Sequence, residues 1–185
     1  FCSKLVELGG ENYERWFNLG DRDLAMAIHR TRLLRTGVPM HEVVAGLARD
    51  WGLTCTVLPM TNEPVQTMIT GPNGELAFQE YMVKLRTELD VRSIRFAGIE
   101  AAKPGPGVID SLVDAEMVIL APSNPFVSMG PILGVPGVRA ALETTKAVRV
   151  AISPIIAGQV VKGPAAKMMT TLGYEVSALG VAKIY

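Results

Sequence analysis

Two apolar runs in this chain stop in the same abrupt way. Met117-Val118-Ile119-Leu120-Ala121 leads into Pro122-Ser123-Asn124-Pro125, and Val148-Arg149-Val150-Ala151-Ile152 leads into Ser153-Pro154-Ile155. A short β-rich run that ends at a polar, proline-bearing turn reads as a buried strand of a parallel sheet. Open α/β sheets bind ligands in the crevice outside the carboxyl ends of their strands. Two such ends, separated by a helix-length stretch, predict one small-molecule site. The serine hydroxyls and neighbouring backbone amides there suit phosphate oxygens.

Composition narrows the field. A chain of 185 residues is about one domain long and can bury a sizeable core. Eighteen basic side chains balance eighteen acidic ones, so no net field favours nucleic acid or an anionic membrane as a partner. No apolar stretch approaches the ~20 residues that span a bilayer. Cys2 and Cys55 form neither a disulfide framework nor a metal-ligand spacing, and a reduced, cytoplasmic setting is expected. Phe1 is not an initiator residue and no charged-then-apolar signal leads the chain, so a fragment of a longer gene product is expected.

Helical periodicity dominates the first third. Asp21 is expected to cap a helix carrying Leu24, Ala27, Ile28, Thr31 and Leu34 on one face, stopped by Gly37. Pro39 opens a second helix bearing Val43, Val44, Leu47, Ala48 and Trp51, stopped by Gly52. From Leu53 the period changes. Thr54–Leu58 reads as a strand, and Val65–Thr70 and Glu75–Phe78 flank Gly71-Pro72-Asn73-Gly74, a strong hairpin signal. Val91–Phe96 is a further strand. Helices follow at about Val108–Ala115, after Pro136-Gly137, and at about Ala165–Leu172, with a last strand at Glu175–Leu179. Alternating strands and helices predict a parallel sheet with crossovers.

Several residues carry chemistry, each beside a plainer reading. Ser123-Asn124-Pro125 is a ligand loop or an Asx-type turn that ends a strand. The run from Ser128 to Gly137 lets backbone approach a ligand, or is a chain of tight turns. Lys162 stands just before a helix start, as an anion contact or a solvated cation. Asp21 and Asp23 serve a metal or a substrate hydroxyl, or Asp21 caps its helix. His29 and His41 read as surface residues, and the methionines as core filler.

Taken together, the residues resemble a known family. Trp16–Ala25, Leu58-Pro59-Met60, Phe78-Gln79-Glu80-Tyr81, Ala121–Pro125, Gly130–Gly137, Ser153-Pro154-Ile155 and Ser177–Val181 look like successive motifs of the 2-phospho-L-lactate transferases of coenzyme F420 biosynthesis. Their colinear order, from about Trp16 onward, carries the specificity.

The resemblance implies an α/β fold: a Rossmann-like, mostly parallel sheet with an inserted small helical lobe. Residues 1–16 would end a preceding α/β segment, 17–52 would form the lobe, and 53–185 the nucleotide-binding body. It also implies a reaction. The ribityl hydroxyl of the deazaflavin Fo attacks the phosphorus bearing a lactyl or enolpyruvyl group in a guanosine diphosphate donor, and GMP leaves. Ser123, Asn124, Ser128, Gly130 and Lys162 would bind substrate, while Asp21 and Ser153 would stand nearer the chemistry. Mg²⁺, or Mn²⁺, would neutralise the diphosphate, its ligands expected in a preceding segment. Partners would be small molecules rather than nucleic acid or membrane, with a homodimer allowed. The alternative reading is a non-catalytic, nucleotide-sugar-binding regulator of the gluconeogenesis-factor type.

Overall fold

The structure, a computed structural model, describes residues 19–160 and 163–185. Residues 1–16, the Trp16-Phe17-Asn18 run and Lys162 lie outside the described residues. Two helices come first, α1 (Asp21–Arg35) and α2 (Met40–Asp50), each ending just before a glycine in the left-handed region, Gly37 and Gly52. Gly20, not Asp21, is the N-cap of α1, so Asp21 is the first helical residue and is exposed there. The expected apolar face of α1 is not buried either: Ile28 is 59% and Leu34 38% exposed. α1 packs on α2, and one helical neighbour covers only a narrow stripe. On α2, Val43 is fully buried. The backbone amide of His41 donates to Asn62 Oδ1 at 2.9 Å, and its ring Nδ1 lies 3.1 Å from the same oxygen, pinning the start of α2 to the following loop.

The hairpin forms as expected. β1 (Gln66–Gly71) pairs with β2 (Gly74–Ala77) around the Pro72-Asn73 turn, and β3 (Ser93–Ala97) pairs with the other edge of β1, both antiparallel. These strands make a sheet of their own rather than extending the parallel one. Arg95 on β3 reaches across β1 to Glu75 on β2, with two hydrogen bonds of 2.6 Å.

The parallel element is the pair β4 (Met117–Leu120) and β5 (Val148–Ala151), in register from Met117↔Val148 to Leu120↔Ala151. Helix α3 (Val108–Val113) precedes β4. A wide π-helical turn (Pro125–Met129), α4 (Gly130–Gly134) and α5 (Val138–Thr144) make the crossover that parallel pairing requires. β4 alternates, with Met117 and Ile119 exposed and Val118 and Leu120 half-buried, whereas all four residues of β5 are exposed, Val148 by 59%, so the burial expected of this second strand is not found among the described residues. Beyond lie the short ribbon β6 (Ile155–Ile156) and β7 (Gln159–Val160), then α6 (Ala165–Thr171) and α7 (Ala178–Ile184).

Two expected strands are not formed. Residues 53–57 are all exposed, with no neighbouring strand among the described residues to take their backbone groups. At Glu175–Leu179 the cap wins: Ser177 Oγ accepts from Gly180 N at 2.9 Å and starts α7. Gly180 is seated so closely on the Glu175 carbonyl that any Cβ would collide with it.

Three buried clusters hold these elements. Ile69, Tyr81, Val91 and Met168 join the antiparallel sheet to α6. Leu133, Val135 and Val138 gather α3, α4 and α5. Ile155, Met169 and Val181 fix the β6 ribbon to α6 and α7. Full burial of one such side chain contributes roughly 1.5–3 kcal/mol. The Rossmann-like α/β arrangement places the ends of β4 and β5 side by side above this core.

Candidate functional site

The register Leu120↔Ala151, continued by Ile152 N donating to Leu120 O at 3.0 Å, brings the two polar turns out at one edge. In the first, Asn124 Oδ1 accepts from Phe126 N at 2.9 Å and Val127 N at 3.2 Å. Its backbone oxygen accepts from Ser128 N and Met129 N at 3.1 and 3.0 Å. Pro125 suits the first position of the turn, where no amide is needed. Single π-type turns of this kind concentrate at functional sites. In the second turn, Ser153 Oγ accepts from Ile155 N at 3.0 Å and donates to Ile155 O at 3.1 Å.

The plain reading of the first loop, an Asx turn at Asn124, is therefore realised, and Ser153 makes the serine counterpart of such a turn. Chemistry remains available beside them. The Asn124 side-chain amide donates to the Met168 sulfur at 3.4 Å, which leaves the second hydrogen of its NH2 group for a phosphate oxygen. The half-buried Ser123 and Ser128 side chains make no hydrogen bond among the described residues. Ser123, Asn124, Ser128 and Gly130 share one continuous turn, with Ser153 on the neighbouring strand end. Asp21 stands on a separate element.

Gly130 has a packing reason of its own. A Cβ there would lie 2.8 Å from Phe96 Cζ, so the glycine lets α4 close on β3. Its φ of −51° is ordinary helix, so close packing against Phe96, rather than an unusual backbone conformation, is its local structural role.

A concavity of about 260 Å³ adjoins the Asn124 turn itself, lined by Phe96, Pro125, Phe126, Gly130 and Gly134, and others lie elsewhere on the surface. One of about 280 Å³ lies under the ends of β4 and β5, lined by Leu120, Ala151, Arg139, Glu143, Arg149 and Tyr185. Arg139 Nη1 donates to Tyr185 O at 2.7 Å and Arg149 Nη1 to Leu142 O at 2.9 Å. These two cations carry little signal in the sequence, one being an arginine inside an otherwise apolar strand and the other the second residue of a helix. A wider groove of about 720 Å³ runs between α1 and α2, lined by Asp23, Met26, His29, Leu47, Asp50 and the exposed Trp51.

Nearby, Thr61 donates its hydroxyl and Lys103 its backbone amide to Glu63, which together hold that carboxyl below the usual range. Burial pushes the Tyr81 phenol up, and its hydroxyl has no hydrogen-bond partner among the described residues. No group of three or more His, Cys, Asp or Glu side chains among the described residues could hold a metal ion. No single helix among them is long and apolar enough to cross a membrane.

In solved structures, the fold is similar to that of a UPF0052-family protein from Bacillus halodurans, with TM-score 0.59 at 16% identity, covering 89% of this chain and 54% of that one. In sequence, the chain is 40% identical to a phosphoenolpyruvate transferase of Mycolicibacterium smegmatis, over 92% of its length and 54% of the relative's. It is 38% identical to a 2-phospho-L-lactate transferase of Methanosarcina mazei, over 98% of its length and 58% of the relative's. The chain thus spans about half the length of the curated relatives it matches. The family model described as 2-phospho-L-lactate transferase CofD matches residues 4–184. With that match running nearly end to end, the chain belongs to the 2-phospho-L-lactate transferase CofD family.

Proposed function

We propose that the protein transfers a phospholactyl or phosphoenolpyruvyl group from a guanosine diphosphate donor to the ribityl hydroxyl of Fo, in coenzyme F420 biosynthesis. One observation carries the reading: in a chain of this family, β4 and β5 present the Asn124 and Ser153 turns side by side at the sheet's carboxyl edge. The acceptor oxygen attacks the phosphorus that bears the acyl-type group. The bond from that phosphorus to the bridging oxygen breaks, GMP departs with the electron pair, and the hydroxyl proton passes to a base.

Such a displacement needs no protein nucleophile, because positioning and charge stabilisation do most of the work. Ser123, Ser128 and the Asn124 amide donate to donor phosphates, and Ser153 stands beside the reacting phosphorus. Asp21 orients the acceptor hydroxyl. Mg²⁺ or Mn²⁺ is expected to accompany the diphosphate, but the described residues hold no acidic cluster to bind it. The work assigned to these residues is therefore donation of hydrogen bonds and alignment.

The test is product identity. The protein expressed from its own gene is incubated with Fo and each donor, with Mg²⁺ and with chelator, and products are read by mass spectrometry. The reading expects the phosphodiester and GMP in equal amounts, lost in chelator. Donor hydrolysis without the phosphodiester, or full turnover in chelator, would overturn it.

A further inference from the structure

The turn that follows Glu80–Lys84 is strained. Arg86 and Thr87 both sit in the left-handed region, with φ of 48° and 60°, a conformation that L-residues avoid and β-branched ones most of all. Such strain persists only where surrounding structure imposes it. One cation and a backbone hydrogen bond hold this turn. Lys167 on α6 donates from Nζ to Thr87 O at 2.8 Å and to Glu88 O, and lies 3.7 Å from the Asp90 carboxylate. The inner side of the same turn is tied to the core, since Thr87 N donates to Tyr81 O at 3.0 Å.

The residue after Lys167 faces the other way. Met168 is fully buried in one cluster with Tyr81, and its sulfur takes the side-chain amide of Asn124. Adjacent residues of α6 thus hold the strained turn on one side and the Asn124 turn on the other. Tyr81 is the shared packing partner between them.

We propose that Lys167 is a positioning residue for the Asn124 turn: by clamping the left-handed Arg86-Thr87 turn it seats Tyr81 against Met168, and through Met168 it fixes Asn124. Without the cation, the turn relaxes toward ordinary φ, drags on Tyr81, and lets the Met168–Asn124 contact drift. The proposal rests on the donor-site reading of Asn124 for its functional consequence, though the mechanical link stands on the contacts alone.

A double-mutant cycle tests it. Glycine adopts a left-handed φ without strain, so Thr87→Gly should remove the need for the clamp. Four proteins are compared: wild type, Lys167→Met, Thr87→Gly and the double variant. Two readouts are taken, hydrogen exchange at the Phe126 and Val127 amides and the Kd for GDP. Lys167→Met should speed exchange at those amides and weaken GDP by at least about fivefold, and the double variant should recover most of both.

Unchanged exchange in Lys167→Met overturns the proposal. So does faster exchange spread evenly through β1 and β3, or no recovery in the double variant. If Lys167→Met alone does not fold, a folded double variant is the expected recovery, and an unfolded one contradicts it. A wild type that fails to bind GDP would defeat the donor reading, while the exchange arm would still decide the role of Lys167.

Discussion

The Asn124 side-chain amide lies 3.4 Å from the buried sulfur of Met168, while its carbonyl oxygen is fully used by the amides of Phe126 and Val127. The two ends of one side chain thus do separate jobs. The oxygen builds the turn, and the nitrogen rests one hydrogen on the Met168 sulfur and keeps the other for a ligand.

Asn124→Ala should therefore lose both functions. Its cap is worth about 1 kcal/mol of stability, and one hydrogen bond to a charged ligand about 1.5–3 kcal/mol, or one to two decades in GDP affinity. Asn124→Asp keeps the capping oxygen but sets a carboxylate where phosphate is expected. It should melt closer to wild type than the alanine variant and bind GDP more weakly than either. Calorimetry checks both, and wild-type GDP affinity in a folded Asn124→Asp protein would remove Asn124 from the site.

Gly130→Ala should destabilise by about 1–3 kcal/mol through overpacking against Phe96, with much of the loss recovered by Phe96→Leu. Urea denaturation of the single and double variants measures it. A neutral Gly130→Ala would mean that Phe96 gives way easily and that the glycine has another reason.

Tyr81 buries a hydroxyl that has no hydrogen-bond partner among the described residues, so Tyr81→Phe should be neutral or stabilising, by up to about 1 kcal/mol. The pH dependence has a definite sign. Burial, aided by the Asp90 charge, raises the folded phenol's pKa. The unfolded chain therefore loses this proton first, and stability falls as pH rises past about 10. Denaturation curves across that range should be flatter for Tyr81→Phe. An unchanged slope would assign the alkaline loss to other groups, Tyr185 among them.

Asp21 is exposed at the first position of α1 and caps nothing. Asp21→Ser removes only a helix-dipole interaction of roughly 0.3–1 kcal/mol, so melting should barely change. If Asp21 orients the acceptor, turnover falls at least about tenfold, equivalent to about 1.4 kcal/mol in the transition state. Steady-state assays with Fo decide, and normal turnover returns Asp21 to the surface.

How much of this was legible in the sequence depended on how locally it was encoded. Gly37, Gly52 and the Pro72-Asn73 turn act through their own backbone, and the helices and hairpin they bound are where the sequence puts them. The parallel pair was legible because two runs with the same ending need one another. Strands without such a partner were misread: residues 54–58 have suitable composition and no ladder, and at 175–179 a single serine cap outweighs β propensity. At the site, the turn residues were visible but their division of labour was not. That Asn124 leans on Met168, and Gly130 on Phe96, depends on contacts 44 and 34 positions apart in the chain. The clamp at Lys167 was invisible for the same reason, being a cation aimed at carbonyls some eighty residues away.

If the two strand-end turns form the donor site, GDP titrated into the protein moves their backbone amide signals. Saturable shifts are expected at Ser123–Gly130 and at Ser153–Ile155, and Asn124→Asp should abolish them. Saturable shifts confined to the groove between α1 and α2, with the β4 and β5 turns silent, would contradict the donor-site reading.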